Sequence, residues 1–149
     1  MSKAVKRLAA LTLLALLACY PPMNAGEPSA ADSTLRKADS FALGGVGVAG
    51  TMSQGEGALR EILKQSDAVS HLENLLPEAS PAGQLYAFVG LRVRDRAAYQ
   101  RAVAKYGQRN AEVETMRGCM LQREPFATLV KQIDHGDYDT FLSREWPKR

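Results

Sequence analysis

The segment from residue 80 to residue 92 constrains the fold more than any other part of the chain. Ser80 is a good helix N-cap, and Pro81 then occupies the first helical position, where a missing N–H is harmless. Apolar side chains surround the helix that follows: Leu85, Tyr86, Phe88, Val89 and Leu91. A helix without a wide polar face is usually buried. The sequence therefore predicts a central core helix.

Small residues form a stripe along this helix. Gly83, Ala87 and Gly90 are spaced i, i+4 and i+7, so they lie on one face. Each glycine costs about 1 kcal/mol of helix propensity relative to alanine. That cost indicates that neighbouring segments pack closely against the stripe.

Helix start signals flank the central segment on both sides. Ser53 and Glu56 form a capping-box pattern, Asp67 precedes a second apolar periodicity, and Asp95 precedes a third that ends near Gly107. Residues 53–76 and 81–106 therefore read as two helical hairpins. We predict an all-α fold in which short antiparallel helix pairs stack as a HEAT-like or armadillo-like array.

The C-terminal third is less uniform. Residues 110–123 fit a packed loop, a short strand pair or an irregular helix, with a bend at Gly118. Pro125 begins a clear amphipathic helix that ends at Gly136. The tail carries four large apolar residues that we expect to pack back onto the core: Tyr138, Phe141, Leu142 and Trp146.

The N-terminus has the pattern of a signal peptide. Lys3, Lys6 and Arg7 precede an apolar run at residues 8–18, which is too short to span a bilayer. The run ends Leu-Leu-Ala-Cys19, which resembles the lipobox of bacterial lipoproteins and implies diacylation of Cys19. An ordinary signal peptide, cleaved near Ala25, is the alternative. We divide the chain into a signal peptide at 1–19, a flexible tether at 20–39 and one helical domain at 40–149.

The charge of the chain supports this division. Three of the 19 basic residues lie before residue 20, which leaves 16 basic against 16 acidic residues. A domain with no net charge has no general electrostatic attraction to nucleic acid. We therefore expect no nucleic-acid partner.

The sequence offers few candidates for catalytic or metal-binding residues. Cys119 is the one cysteine after residue 19, and burial is the usual state of a free cysteine. His71 is expected in solvent and His135 in the last turn of a helix. No local sequence signature supports a Cys119 nucleophile with either histidine as its base. Three acidic side chains in the segment 134–139 miss the calcium-loop spacing: Asp134, Asp137 and Asp139. We predict no catalytic residue and no metal.

Two further patterns are open to a binding interpretation. Gly45, Gly47 and Gly50 match G-x-G-x-x-G, but a strand does not precede them and a helix starts only at Ser53, so we expect no nucleotide cofactor. Four basic and aromatic residues are candidates for binding a protein partner: Arg92, Arg94, Tyr99 and Arg101.

Residues 41–60, 84–91 and 118–119 are similar to an uncharacterised group of bacterial exported proteins. The shared runs are Phe-Ala-Leu-Gly-Gly-Val-Gly, Ser-x-Gly-Glu, a Gln-Leu-Tyr-Ala-like helix and Gly-Cys. The resemblance brings no activity and no functional residue. We expect a lipid-anchored, non-catalytic interaction or structural module on the periplasmic side of the cell envelope, with any small-molecule ligand unknown. A small envelope enzyme using Cys119 or the 134–139 cluster is the alternative, and transient regulation of a larger envelope complex is a third.

Overall fold

The computed structural model describes residues 29–143. Within that range the chain forms seven helices: α1 Ala30–Arg36, α2 Gln54–Leu63, α3 Ala68–Leu75, α4 Pro81–Arg94, α5 Arg96–Tyr106, α6 Phe126–His135 and α7 Asp139–Ser143. It also forms three strands: β1 Ser40–Phe41, β2 Glu112–Arg117 and β3 Met120–Pro125. Between residues 29 and 143, no helix is both long and apolar enough to cross a membrane.

The prediction of an all-α fold is wrong, because the three strands form a mixed sheet in the order β1-β2-β3. β1 runs parallel to β2, with Phe41 beside Thr115, and β2 runs antiparallel to β3. The helices gather around α4 instead of stacking as an array, since α1, α2, α3, α5 and α6 all contact it. The molecule therefore has a mixed α and β fold.

The hairpin of β2 and β3 occupies residues 112–125, and it settles the conformation of the segment 110–123, for which the sequence allowed a loop, a strand pair or an irregular helix. Arg117 pairs with Met120, so Gly118 and Cys119 form a two-residue turn, in which Gly118 has a φ of 57°. A positive φ at this position is available to glycine at little cost. The strand pair, one of the three alternatives, is the one that forms.

Helix α4 is the central core helix that was predicted. Its residues 82 to 91 are buried without interruption. The Ser80 hydroxyl accepts a hydrogen bond from the Gly83 N–H at 3.0 Å, as an N-cap should. The edges of the Tyr99 and Phe126 rings meet the Phe88 ring, with centroid separations of 6.4 and 6.2 Å. These contacts tie α5 and α6 to α4.

Neighbouring segments approach the small-residue stripe closely, as predicted. A Cβ added at Gly83 would collide with the backbone carbonyl of Leu35 at the end of α1. One added at Gly90 would lie 2.7 Å from Leu72 and 2.8 Å from Leu59. The stripe therefore seats α1 at one end and the α2–α3 pair at the other.

Helix α1 corrects the predicted tether at residues 20–39. Ser29 and Asp32 form a complete capping box at its start, and Leu35 is fully buried against the core. From Ser29 onward the chain is thus part of the folded domain. Residues 20–28 and the predicted signal peptide with Cys19 lie outside the described residues.

The C-terminal tail packs back as expected over its described part. Tyr138 is buried, and its ring lies 5.0 Å from that of Phe41 in β1. The backbone carbonyl of Phe141 accepts a 2.6 Å hydrogen bond from Arg60 of α2. Trp146 lies outside the described residues.

Candidate functional site

One opening among the described residues is a groove of about 620 Å³ beside the edge of the sheet. We call it the α1 groove. Thr34 of α1 and Lys37 just after that helix line it, together with Val46 and Met52 from the loop before α2. Met116 of β2 lies at its side. The volume falls in the range of about 300–1,000 Å³ that is typical of ligand sites.

A hydrogen-bonded cluster holds the inner end of the α1 groove in place. The Ala42 N–H donates to the Tyr86 hydroxyl at 2.8 Å, and the Tyr86 hydroxyl donates to the Ala42 carbonyl at 3.0 Å. The Ser53 hydroxyl donates to the same carbonyl at 2.7 Å and accepts from the Glu56 N–H. This cluster joins α4, β1 and the start of α2, so the wall of the groove is preorganised.

The Ser53 and Tyr86 hydroxyls form hydrogen bonds, and neither is activated as a nucleophile. Burial raises the pKa of Tyr86 above its ordinary value of 10.0, so the phenol stays protonated at neutral pH. The hydrogen of Ser53 points to a carbonyl oxygen, which cannot take up a proton in general-base catalysis. Both groups therefore act as hydrogen-bonding groups of the wall.

The first turn of α2 faces the α1 groove through Gln54 and Gly55. The backbone N–H groups at a helix start have no acceptor inside the helix. A Cβ on Gly55 would lie 2.4 Å from the Tyr86 ring, so glycine allows α2 to approach α4 at this point. The α1 groove thus combines hydroxyl groups and apolar side chains.

The capping-box prediction at Ser53 is half right. Ser53 caps α2, as stated, but the Glu56 carboxylate accepts from the Gly44 N–H at 2.9 Å. Glu56 is fully buried and also pairs with Arg60, at 2.8 Å. Glu56 therefore anchors the glycine-rich loop to α2.

That glycine-rich loop is a pair of turns and not a nucleotide loop. Gly45, Gly47 and Gly50 all have positive φ, and the segment folds back so that Val46 and Thr51 exchange two backbone hydrogen bonds, at 2.7 and 3.0 Å. Helix α2 begins only at Gln54. The arrangement lacks the strand-turn-helix geometry of a dinucleotide site.

Two turns lie side by side at the outer end of the sheet. The Gly47 N–H donates to the Gly118 carbonyl at 2.9 Å, which joins the turn at residues 46–51 to the β2–β3 turn at 117–120. We call these the paired turns. Three strongly exposed apolar side chains lie in or next to them: Val48 at 98%, Met120 at 61% and Leu121 at 55%.

The four residues predicted to bind a partner do not form one exposed surface. Arg92 has a side chain that is only 9% exposed and lies 3.2 Å from Asp139, and Tyr99 is buried. Arg94 is exposed and donates to the Leu63 carbonyl. Arg101 is exposed and pairs with Glu73 at 2.9 Å.

Cys119 is exposed, so the expectation of a buried cysteine is wrong. It occupies the second position of the β2–β3 turn. The hydrogen-bonding partners of the two histidines are Asp32 and Gln65 for His71, and Asp137 for His135. The sequence could not separate a buried cysteine from one in a turn without knowing that the hairpin forms.

His71 is partly buried, which corrects its predicted place in solvent. Its Nε2 contacts Asp32 of α1, and its Nδ1 lies 2.8 Å from the Gln65 side-chain oxygen. His71 therefore joins α3 to α1. The sequence signal that could have predicted this contact is the capping box at Ser29, which starts α1 and places Asp32 in its first turn.

His135 lies in the last turn of α6 as predicted, fully exposed and 2.6 Å from Asp137. The hydrogen bond with Asp137 raises the pKa of His135 above its usual value of 6.5. Asp139 pairs with Arg92. Across residues 29–143, no group of three or more histidine, cysteine or acidic side chains is placed to hold a metal ion.

Comparisons with known proteins add no family to this description. No protein-family model matches the chain. Neither the curated proteins nor the solved structures give a significant match.

Proposed function

We propose that this chain is an exported, lipid-anchored and non-catalytic binding module of the bacterial cell envelope. In this proposal the α1 groove holds an extended segment of a partner protein. The groove of about 620 Å³, with its preorganised polar wall, is the observation that carries the proposal. The export and the anchor rest on the sequence pattern that ends at Cys19.

An extended polypeptide fits the position of the α1 groove. The groove lies along β1, which is an edge strand, and Ser40 and Ala42 line it. Extended peptides bind at such edges through main-chain hydrogen bonds, while side-chain pockets supply specificity. Ser33 and Thr34 also line the groove, and the Thr34 hydroxyl donates to the Ala30 carbonyl at 2.8 Å.

Two methionines give the α1 groove an adaptable apolar lining. Met52 and Met116 both line it. Unbranched thioether side chains adjust to ligands of different shape, and they are common at surfaces that bind several peptides. The groove is therefore suited to an apolar side chain of the partner segment.

The enzyme alternative gains no specific support. Cys119 lies in the exposed hairpin turn, and the acidic residues 137 and 139 are engaged by His135 and Arg92. A binding role needs only the groove and its donors. The binding role is therefore the one function that we propose.

An affinity pull-down from detergent-solubilised membranes, read by mass spectrometry, tests the proposal. The tagged full-length chain is compared with Thr34→Arg, which places a long side chain into the α1 groove, and with Gln100→Arg, an exposed change on α5. We expect a near-stoichiometric partner with the wild type and with Gln100→Arg. Thr34→Arg should lose most of it.

A third variant separates this surface from the one that the sequence indicated. Arg101→Glu reverses a charge on α5 without touching the α1 groove. Loss of the partner with Arg101→Glu but not with Thr34→Arg would contradict the groove and favour the α5 surface. A wild-type chain that captures no partner above background would contradict a stable binding module altogether.

A further inference from the structure

Strand β3 forms one edge of the sheet, and its outer side is open to solvent. Leu121, Gln122 and Arg123 are all exposed along this strand. Its two large apolar side chains, Met120 and Leu121, are 61% and 55% exposed. Because they are consecutive strand residues, they point to opposite faces of the sheet. A partner resting on one face would cover only one of them, whereas a strand added alongside β3 would contact both.

The backbone of β3 has hydrogen-bonding groups on this outer side. The Phe126 N–H donates to the Ala111 carbonyl at 2.8 Å, one pair beyond the end of the hairpin. Bonded and non-bonded pairs alternate in an antiparallel ladder, so residues 120, 122 and 124 turn their backbone groups toward β2. The N–H and C=O groups of Leu121 and Arg123 therefore point outward. No other residue between 29 and 143 forms a backbone hydrogen bond with them.

Charged residues protect only one half of this edge. Arg123 lies opposite Glu114 of β2, and the Glu124 carboxylate accepts a hydrogen bond from the Thr115 hydroxyl at 2.9 Å. The other half, at residues 120–122, carries no charge. An unprotected edge is a template for pairing with another strand. The described structure thus leaves one position open beside β3.

We propose that β3 pairs with β3 of a second copy of this chain, antiparallel and about a twofold axis. In such a pair each copy contributes the same surface. Residues whose backbone groups point outward must face one another for hydrogen bonds to form. Three positions inside the strand allow this as the centre of symmetry: Leu121, Gln122 and Arg123.

The side chains select Leu121 as the centre. An axis at Arg123 would place two arginines directly opposite each other, which destabilises a strand pair. An axis at Gln122 would place Leu121 opposite Arg123. An axis at Leu121 pairs two leucines, and Met116, the neighbour of Leu121 in β2, extends the apolar row on the same face in each copy. Met120 then lies opposite Gln122 on the other face, so both exposed apolar side chains gain a neighbour.

The predicted dimer goes beyond the proposed function and does not rest on a partner in the α1 groove. It joins two three-stranded sheets into one continuous sheet. A single strand pair buries less than the roughly 800 Å² on each side of a standard interface. We therefore expect a reversible dimer, whose register is set by the Leu121 pair.

Disulfide formation in the full-length chain tests the pairing and its register together. Opposite residues of a bonded pair have Cα atoms about 5.5 Å apart, which is within disulfide range. Leu121→Cys in a Cys119→Ser chain should therefore form an interchain disulfide on mild oxidation in membranes. Arg123→Cys in the same background should form none, because four strand steps, about 14 Å, separate its two copies. The wild-type Cys119 lies as far from the axis and should also form none.

A charge-swap pair separates loss of pairing from loss of folding. Leu121→Glu and Leu121→Lys should each stop the chain from capturing a differently tagged copy of itself, because like charges would meet at the axis. Mixing the two variants should restore capture several-fold. Val93→Glu, which changes an exposed apolar residue on α4, should leave capture at the wild-type level.

Three outcomes would overturn the inference. The first is a wild-type chain that captures no second copy from solubilised membranes. The second is a disulfide at residue 119 or 123 that is stronger than the one at residue 121. The third is a mixture of the two charge variants that shows no recovery. None of them bears on the α1 groove, because Thr34→Arg should leave the disulfide at residue 121 unchanged.

Discussion

Helix α4 and the β2–β3 hairpin are opposite in how they use their side chains. α4 buries ten consecutive residues, whereas β3 leaves five of its six residues exposed. The rings of Phe88, Tyr99 and Phe126 meet edge to face around α4, while Met120 and Leu121 are more than half exposed. The comparison indicates that α4 is the scaffold of the core and that the hairpin end of the sheet contributes little to it.

The largest expected effect comes from truncating the scaffold. Phe88→Ala should lower the free energy of unfolding by about 3–5 kcal/mol, because a fully buried ring leaves a cavity. Leu121→Ala, the control in the hairpin, should stay within about 0.5 kcal/mol. Urea denaturation measures both. Similar losses for the two variants would remove the distinction between scaffold and sheet end.

The next test compares a buried ion pair with an exposed one on the same helix. Glu56→Gln should cost on the order of 3 kcal/mol, since it removes the buried carboxylate that pairs with Arg60 and holds Gly44. Glu61→Gln removes the exposed partner of Lys64 and should cost under about 1 kcal/mol. Thermal unfolding of both gives the ranking, and a ranking in the reverse order would contradict the role of Glu56 as a loop anchor.

Two buried tyrosines sharpen the comparison at the level of single hydroxyls. Tyr86→Phe leaves the Ala42 N–H without its acceptor and should cost about 1–3 kcal/mol. The Tyr99 hydroxyl lies near Asp134 but outside hydrogen-bond geometry, with no partner among the described residues. Tyr99→Phe should therefore be nearly neutral at pH 7. Equal costs in denaturant titrations would mean that the Ala42–Tyr86–Ser53 cluster does not organise the groove wall.

The smallest effect is a pH dependence of stability at the exposed end of α6. Because Asp137 raises the pKa of His135 in the folded state, the interaction contributes below pH 6.5 and is lost as pH rises through the folded pKa. The stability difference between wild type and His135→Gln should thus shrink above that window. In an Asp137→Asn background, the stability difference caused by His135→Gln should disappear at every pH. A difference that grows with pH would have the wrong sign.

The parts of the fold that the sequence predicted are those with local signals. Ser53, Ser80 and Asp95 each cap the helix assigned to them, and Gly136 ends α6 in a left-handed conformation. Capping and periodicity need only neighbours within a few residues. The buried α4 also followed from its own composition.

The sheet was missed because its strands carry weak local signals. β3 is exposed on both faces, so it shows no alternation of apolar and polar residues, and Glu, Gln and Arg are not strong strand formers. Its turn is Gly-Cys, which is not a common hairpin sequence. β1 has only two residues, which is too short for any pattern.

The candidate site could not be predicted, because its parts are distant in the chain. Ala42 and Tyr86 are 44 residues apart, and Thr34 and Met116 line the same groove. The four residues indicated by the sequence were chosen for charge and aromaticity along one segment, and Tyr99 is buried while Arg92 is half-buried. The groove depends on the packing of α1 against α4, which Gly83 allows.

Site-specific photo-crosslinking can show directly whether the α1 groove holds a partner protein. A benzophenone amino acid is placed at Thr34 in the α1 groove of the full-length chain and, in a second chain, at Gln100 on α5. We expect a single dominant crosslinked partner from position 34 and none from position 100. A partner captured from position 100 but not from position 34 would contradict binding in the α1 groove.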